Sequence, residues 1–285
     1  MTRLLPRALM APAVALLLCW MLVPLLMTIS FSFINYNLMQ PGEHPFIGWA
    51  NYAFFITDPD FLPAVWNTLT LLASVVLTTL VLGVLIALLV NEPFAGRGIV
   101  RVLLISPFFV MPTVNALLWK HMMMNPIYGV LANLCKAFGL QPVDWLTDLP
   151  LLSIITMVSW QWLPFACLIF MTSLQSLDRE QMEAARMDGA NVLQRFYHLT
   201  LPHLARPMAV VVMIEMIFLL SVFAEIAVTT AGGPGNESTN LTYLIYRQSL
   251  MNFDVGVASA GALFAVVLAN IVAIFLVRIV GKSLD

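Results

Sequence analysis

Two carboxylates stand where water is scarce. Glu215 and Glu225 interrupt a stretch, 207–230, that otherwise reads as hydrocarbon, and an ionisable group at membrane depth is expensive enough to imply a task. On one helix, ten residues of separation set two side chains about 80° apart around the axis and about 15 Å apart along it. That is too far for a shared proton, so each is a separate candidate for a solute path or for pairing with a donor on a partner subunit. Trp160-Gln161-Trp162, in the middle of another apolar run, offers different chemistry. An indole covers the C–H face of a sugar ring, and an amide both donates to and accepts from hydroxyls. Tryptophans also pack between helices, and Asn115 and Asn270 fit either a solute path or helix-to-helix hydrogen bonding.

The most polar chemistry lies in 174–206. Glu183-Ala184-Ala185-Arg186-Met187-Asp188-Gly189-Ala190 and then Leu199-Thr200-Leu201-Pro202 sit between two apolar runs, each long enough to cross a bilayer. Such an island serves something outside the lipid. Asp178 is a good N-cap with Gln181 three residues on, a variant of the capping box, which predicts a short helix from Arg179 through Met187. Gly189 supplies a left-handed C-cap, and Asn191 with Gln194 repeats the start signal for a second piece, Val192 to His198. Leu201-Pro202 and Pro207 are expected to stop that piece and redirect the chain. The product is an elbow, slim at Ala184 and Ala185 and polar at Glu183, Arg186 and Asp188. Spacing alone leaves two readings open, a docking element for a motor or a solvated turn.

Gly281-Lys282-Ser283 ends like a phosphate-binding loop, but Leu276 stands where its first glycine belongs. Neither Gly-x-Ser-x-Gly nor His-Glu-x-x-His occurs. Cys19 and Cys167 fall in apolar spans and Cys135 stands alone outside them, which gives neither a disulfide framework nor metal-ligand spacing and predicts buried apolar thiols. The histidines are scattered, and a net charge of −2 without a long basic run gives nucleic acid nothing to bind. No catalytic residue and no metal site is expected.

The elements that must carry these residues follow from composition. With 61% hydrophobic and 10% charged residues and a mean hydropathy of +0.92, the chain has too little polar material to cover a soluble globule. It reads as an all-α integral membrane protein with apolar spans at 8–31, 66–90, 102–120, 149–173, 207–230 and 257–279. Pro107 and Pro112 are expected to kink the third span rather than break it, because freed carbonyls in lipid find partners on neighbouring helices. The first run exceeds a secretory h-region and has no small-x-small cleavage site, so it is read as a retained helix. With a cytoplasmic N-terminus, Arg3, Arg7, Arg97, Arg101, Arg179, Arg186, Arg195, Arg206, Arg278 and Lys282 fall inside, against Lys120, Lys136 and Arg247 outside. That bias places both termini and the 174–206 loop in the cytoplasm.

The order Glu183-Ala184-Ala185, Gly189, nine intervening residues, then Leu199-x-Leu201-Pro202 resembles the signature of permease subunits of binding-protein-dependent ABC importers. That family often has isoleucine where Leu199 stands. The resemblance implies a coupling helix seated in a groove of an ATPase subunit, with roles carried onto Glu183, Ala184, Ala185, Asp188, Gly189, Leu201 and Pro202. Thr230-Ala231-Gly232-Gly233-Pro234, Ser238-Thr239, Tyr243 to Tyr246 and Gly256-Val257-Ala258-Ser259-Ala260 are similar to the C-terminal part of carbohydrate-uptake permeases related to the maltose and glycerol-phosphate systems. The same residues also read as a turn followed by a smooth packing face.

Together the resemblances cover roughly residues 66–280 and imply a type I ABC importer fold of six transmembrane helices. They divide the chain at 1–65, 66–280 and 281–285. The implied partners are an ATPase dimer that binds ATP and magnesium, a second permease, an extracytoplasmic solute-binding protein and a sugar or polyol, in a bacterial cytoplasmic (inner) membrane. Trp160, Gln161, Asn115, Glu215 and Glu225 are the candidates for the solute path. Two other readings stay open: an ion-coupled secondary transporter using Glu215 or Glu225, which leaves the elbow unexplained, and a membrane scaffold.

Overall fold

The computed structural model describes residues 4–40, 42 and 44–282. Arg3 and residues 283–285 of the expected cytoplasmic tail lie outside them. In chain order the helices are α1 (Leu4–Ser32), α2 (Ala50–Thr57), α3 (Phe61–Asn91), α4 (Arg97–Ile105), α5 (Pro112–Leu118), α6 (Val130–Ala137), α7 (Trp145–Asp148), α8 (Pro150–Gln175), α9 (Arg179–Met187), α10 (Val192–Arg195), α11 (Leu201–Leu219), α12 (Ala224–Thr229), α13 (Leu241–Tyr246) and α14 (Val255–Lys282). Wide π turns at Trp119–Met123, Phe196–Thr200 and Arg247–Met251 extend α5, join α10 to α11, and extend α13. Among the described residues, isolated bridges between Ile34 and Phe46 and between Asn37 and Asp254 take the place of strands.

Among the described residues, five helical stretches are long and apolar enough to cross a membrane: Leu9–Ser32, Phe61–Asn91, Pro150–Gln175, Val192–Leu219 and Val255–Ile274. Two expectations need correction. The third span does not merely kink: Arg97–Phe109 and Pro112–Met123 meet at 107°. Pro107 sits in a 3-10 turn, Val110 and Met111 are extended, and Pro112 starts α5. Pro107 and Pro112, five residues apart, each lack a backbone N–H, and ahead of Pro112 Met111 is extended, so the bend has no room to heal.

The fifth span differs at both ends. Leu201-Pro202 and Pro207 do not stop the helix, which runs from Val192 to Leu219. Pro202 falls in the first turn of α11, directly after the π turn in which the Leu201 amide reaches back to the Phe196 carbonyl. That widened turn makes room for the ring. At the other end α11 stops at Leu219, so Glu225 belongs to a separate helix and the relation worked out for one continuous helix does not hold. The carbonyls freed at the stop find side chains: Asn240 Nδ2 donates to Val222 O (2.6 Å) and Thr242 Oγ1 to Leu220 O (2.7 Å).

The chain divides into two compact units, one running up to Leu62 and including Leu244–Leu268, the other formed by Pro63–Tyr243 and the chain from Ala269. In the first, buried Asn51 donates to Ser32 O (3.0 Å) and Ile34 O (2.9 Å), fixing the chain where α1 ends. Asp60 and Arg247 form an ion pair, and Gln248 Nε2 donates to Asp58 Oδ2 (2.9 Å). Gly261 lies against the Phe55 ring, where an added Cβ would come within 2.5 Å. The small residues at the start of α14 therefore permit close approach, as the smooth-face reading required.

The core of the second unit joins Val84, Ala87 and Val90 of α3, Ala166, Phe170, Met171 and Leu174 of α8, and Leu204 and Val211 of α11. Asn67 Nδ2 donates to the carbonyls of Asn236, Glu237 and Thr239 (3.1, 3.1 and 2.9 Å). This ties the loop ahead of α13 to α3. Of the thiols, Cys167 is buried as expected, whereas Cys19 lies exposed on α1.

Candidate functional site

The loop between α8 and α11 is built from local rules. The Asp178 carboxylate accepts from the Glu180 amide (2.9 Å) and starts α9. At its end Gly189 has φ +79°, its amide donates to Arg186 O (3.1 Å), and the Ala190 amide reaches Ala185 O (2.9 Å). These are the paired bonds of a Schellman cap. Asn191 and Gln194 then close a reciprocal capping box, with both bonds at 2.8 Å. The ends of the loop are stapled together: His203 Nε2 lies 2.9 Å from Ser173 O and 3.3 Å from Ser176 Oγ. The elbow is thus fixed internally and fastened to both long helices.

Glu183, Ala184, Asp188 and Gly189 are exposed on it, Ala185 is half-buried, and Leu201 and Pro202 lie beyond the π turn, half-buried and exposed respectively. Nothing in the residue spacing announces four large apolar side chains held in the open here: Met187 (88% exposed), Val192 (74%), Leu193 (63%) and Tyr197 (56%). A cluster of that kind, on a loop built of capped short helices, fits a contact surface.

The second feature is a cavity of about 570 Å³ within the second unit, beside the end of α11. Its walls include Phe108, Trp162, Phe165 and Phe218, with Gln161 and Glu225 among its polar members. The Trp162 ring meets Phe108 edge-on at 5.8 Å and Phe218 tilted at 5.3 Å. Size, aromatic walls and few polar groups suit a ring-shaped, hydroxylated solute. Glu225, 4% exposed, sits in the first turn of α12. That helix is held at its far end by Lys120, whose Nζ donates to Val228 O (2.9 Å) and Thr229 O (3.1 Å). A lysine at a helix C-terminus also opposes the helix dipole favourably.

The other candidates are distributed unequally. Gln161 is braced rather than free: its Nε2 donates to Val110 O (2.6 Å) at the sharp bend, and its Oε1 accepts from Asn115 Nδ2 (2.9 Å), which also donates to Met157 O (3.2 Å). Trp160 points elsewhere and packs edge-on against Trp119 at 5.9 Å. The neighbouring indole, Trp162, is the one in the cavity wall. Glu215 is fully buried and has a partner inside this chain, the Thr79 hydroxyl, which donates to Oε2 at 2.7 Å. It joins α11 to α3 and is not in the cavity lining, while Glu225 is part of it. Thr79, Lys120 and the phenylalanines of the wall carry no sequence signal that separates them from ordinary span residues.

Comparison with known proteins agrees across sequence and structure. The family described as binding-protein-dependent transport system inner membrane component matches residues 2–285. A protein of Sinorhizobium fredii named probable ABC transporter permease protein y4oQ is 37% identical over 251 residues, 87% of this chain and 81% of the relative. The trehalose/maltose transport system permease protein MalF of Thermococcus litoralis is 31% identical over 261 residues, 90% of this chain and 87% of that one. The fold matches a chain in the crystal structure of a bacterial ABC transporter involved in import of the acidic polysaccharide alginate. The TM-score is 0.81 at 24% identity, over 98% of this chain and 95% of that one.

Proposed function

The chain belongs to the binding-protein-dependent transport system inner membrane components, the permeases of ABC importers, and on that premise we propose that it forms half of a sugar- or polyol-conducting pore driven by a separate ATPase. The observation that carries the reading is the elbow: capped at both of its helices, stapled by His203 across its ends, and presenting Met187, Val192, Leu193 and Tyr197 ahead of α11. A surface fixed to two long helices converts motion of whatever grips it into rotation of those helices. ATP held by an ATPase dimer supplies the differential affinity without which neither state is favoured.

In this scheme the elbow faces the cytoplasm of a bacterial cell and both chain termini lie on the same side, as the arginine distribution expects. A second permease completes the pore, and an extracytoplasmic binding protein delivers solute. The family's description and the trehalose/maltose relative support that assignment. Trp162 would stack on a sugar ring and Glu225 would accept from its hydroxyls, with Gln161 and Asn115 holding the wall in shape. The ion-coupled alternative is not favoured: Glu215 Oε2 accepts from Thr79 in a helix contact, although its Oε1 is buried without a partner.

The test is copurification. Solubilised wild-type protein should bring an ATPase subunit with it, and Met187→Ser combined with Leu193→Ser should lose that subunit while membrane insertion persists. Recovery of other membrane complexes without any ATPase would overturn the proposal.

A further inference from the structure

The cavity beside the end of α11 carries charge of one sign. Among the described residues that line it, Glu225 is the one ionisable side chain; no lysine, arginine or histidine joins it. Two of its neutral donors are already spent, since Gln161 Nε2 donates to Val110 O (2.6 Å) and Ser221 Oγ to Phe218 O (2.7 Å). Lys120 does not neutralise the acid: its ammonium is held by the Val228 and Thr229 carbonyls at the other end of α12, and it forms no ion pair with Glu225. Among the described residues nothing donates to the Glu225 side chain. Its oxygens are nevertheless not sealed in. The buried polar atoms left without a partner include Glu215 Oε1 but neither oxygen of Glu225, so the unpaired carboxylate opens on the cavity that it lines.

We infer that Glu225 is a charge filter: the cavity admits uncharged hydroxylated solutes and turns away anionic ones, such as uronates and sugar phosphates. The inference rests on the reading of this cavity as part of the solute path. A sphere of about 570 Å³ has a radius of about 5 Å, which puts a charge at its centre roughly 6 Å from the carboxylate. Coulomb repulsion at that distance disfavours a monovalent anion by about threefold if water screens it fully, and by about a hundredfold at an effective dielectric constant of about 20. A hydroxyl meets no such penalty and gains an acceptor. The choice is made by repulsion, on top of whatever the aromatic wall contributes by contact.

The experiment reads the field inside the assembled transporter, in sealed proteoliposomes. Ser221→Cys places a thiol in the cavity lining, in a background with Cys19→Ser and Cys135→Ser that leaves only buried Cys167. Two membrane-impermeant reagents of similar size are added outside, the cationic trimethylammonioethyl and the anionic sulfonatoethyl methanethiosulfonate. Their rate ratio, taken relative to free cysteine, cancels any change in the thiol's own ionisation. With Glu225 present the ratio should favour the cation by about tenfold or more, the product of two opposite shifts of about threefold each. Glu225→Gln, which keeps a hydrogen-bonding group of the same shape, should return it to within about twofold of free cysteine. External ATP with vanadate should slow labelling by both reagents, because it turns the cavity away from the ATPase side. A ratio near that of free cysteine with Glu225 in place, or one unmoved by Glu225→Gln, overturns the inference while nucleotide-dependent labelling keeps the solute-path reading. Labelling indifferent to ATP and vanadate removes both.

Discussion

The bend at Gly189 can be tested in graded steps. With φ at +79° and no atom within 4 Å of where a Cβ would sit, replacement acts through backbone preference alone. Alanine in the left-handed region costs about 1–2 kcal/mol, which lowers the ratio of formed to open elbow by about 5- to 30-fold, and apparent ATPase affinity by at most that factor. Asparagine tolerates that region and should remain close to wild type. Proline is fixed near φ −65°, loses the amide that bonds Arg186 O at 3.1 Å, and disturbs the last turn of α9. It should cost about 3 kcal/mol or more and uncouple transport. The assay is ATPase binding and substrate-stimulated hydrolysis in nanodiscs, normalised to protein inserted in the membrane. Wild-type affinity in Gly189→Ala refutes the argument. So does an asparagine variant as poor as proline, which would make flexibility, not the left-handed bend, the property required.

Thr79→Val removes the donor to buried Glu215 and should lower stability by about 1–3 kcal/mol, read as a drop in detergent Tm. Glu215→Gln keeps an acceptor for Thr79 and should transport normally, so loss of uptake in an intact complex would revive the ion-coupled reading. Trp162→Ala should raise the transport KM through loss of a wall of the cavity, whereas Trp160→Ala should lower Tm with little change in KM; the reverse pattern would move the solute path to the Trp119 side. Lys120→Met leaves the last carbonyls of α12 without their donor and should impair uptake with assembly intact, an effect absent if Glu225 has no part in the path.

What was legible in the sequence was local. The N-cap at Asp178, the capping box at Asn191 and the left-handed glycine between them depend on residues within a few positions of one another, and the α9 bounds, Arg179 to Met187, were expected as found. Four of the six apolar runs, 8–31, 66–90, 149–173 and 257–279, needed only length and composition. The breaks were harder because their compensation is distant: Val222 and Leu220 are served from 18 and 22 residues downstream, and the bend at Val110 from Gln161, 51 residues on. Nothing near residue 220 announces those donors, so a continuous fifth span was the natural expectation. Orientation within a span was equally hidden. Trp160 and Trp162 are chemically the same, and only the packing of Trp160 on Trp119 assigns the cavity to the other.

The π turn at Phe196–Thr200 changes the meaning of the spacing in the elbow. A π turn stores one residue more than an α-helical turn, so the faces above and below it are offset by about 100°. Nine residues separate Gly189 from Leu199, and that number sets a phase as well as a length. With the extra residue in place, α11 leaves the elbow with His203 toward Ser173 and, farther on, Glu215 toward Thr79. Deleting one residue from the turn would leave the chain long enough to reach yet rotate both contacts off their partners. The spacing is an angular code, and variation by one residue here should be far more damaging than a substitution at any single position within it.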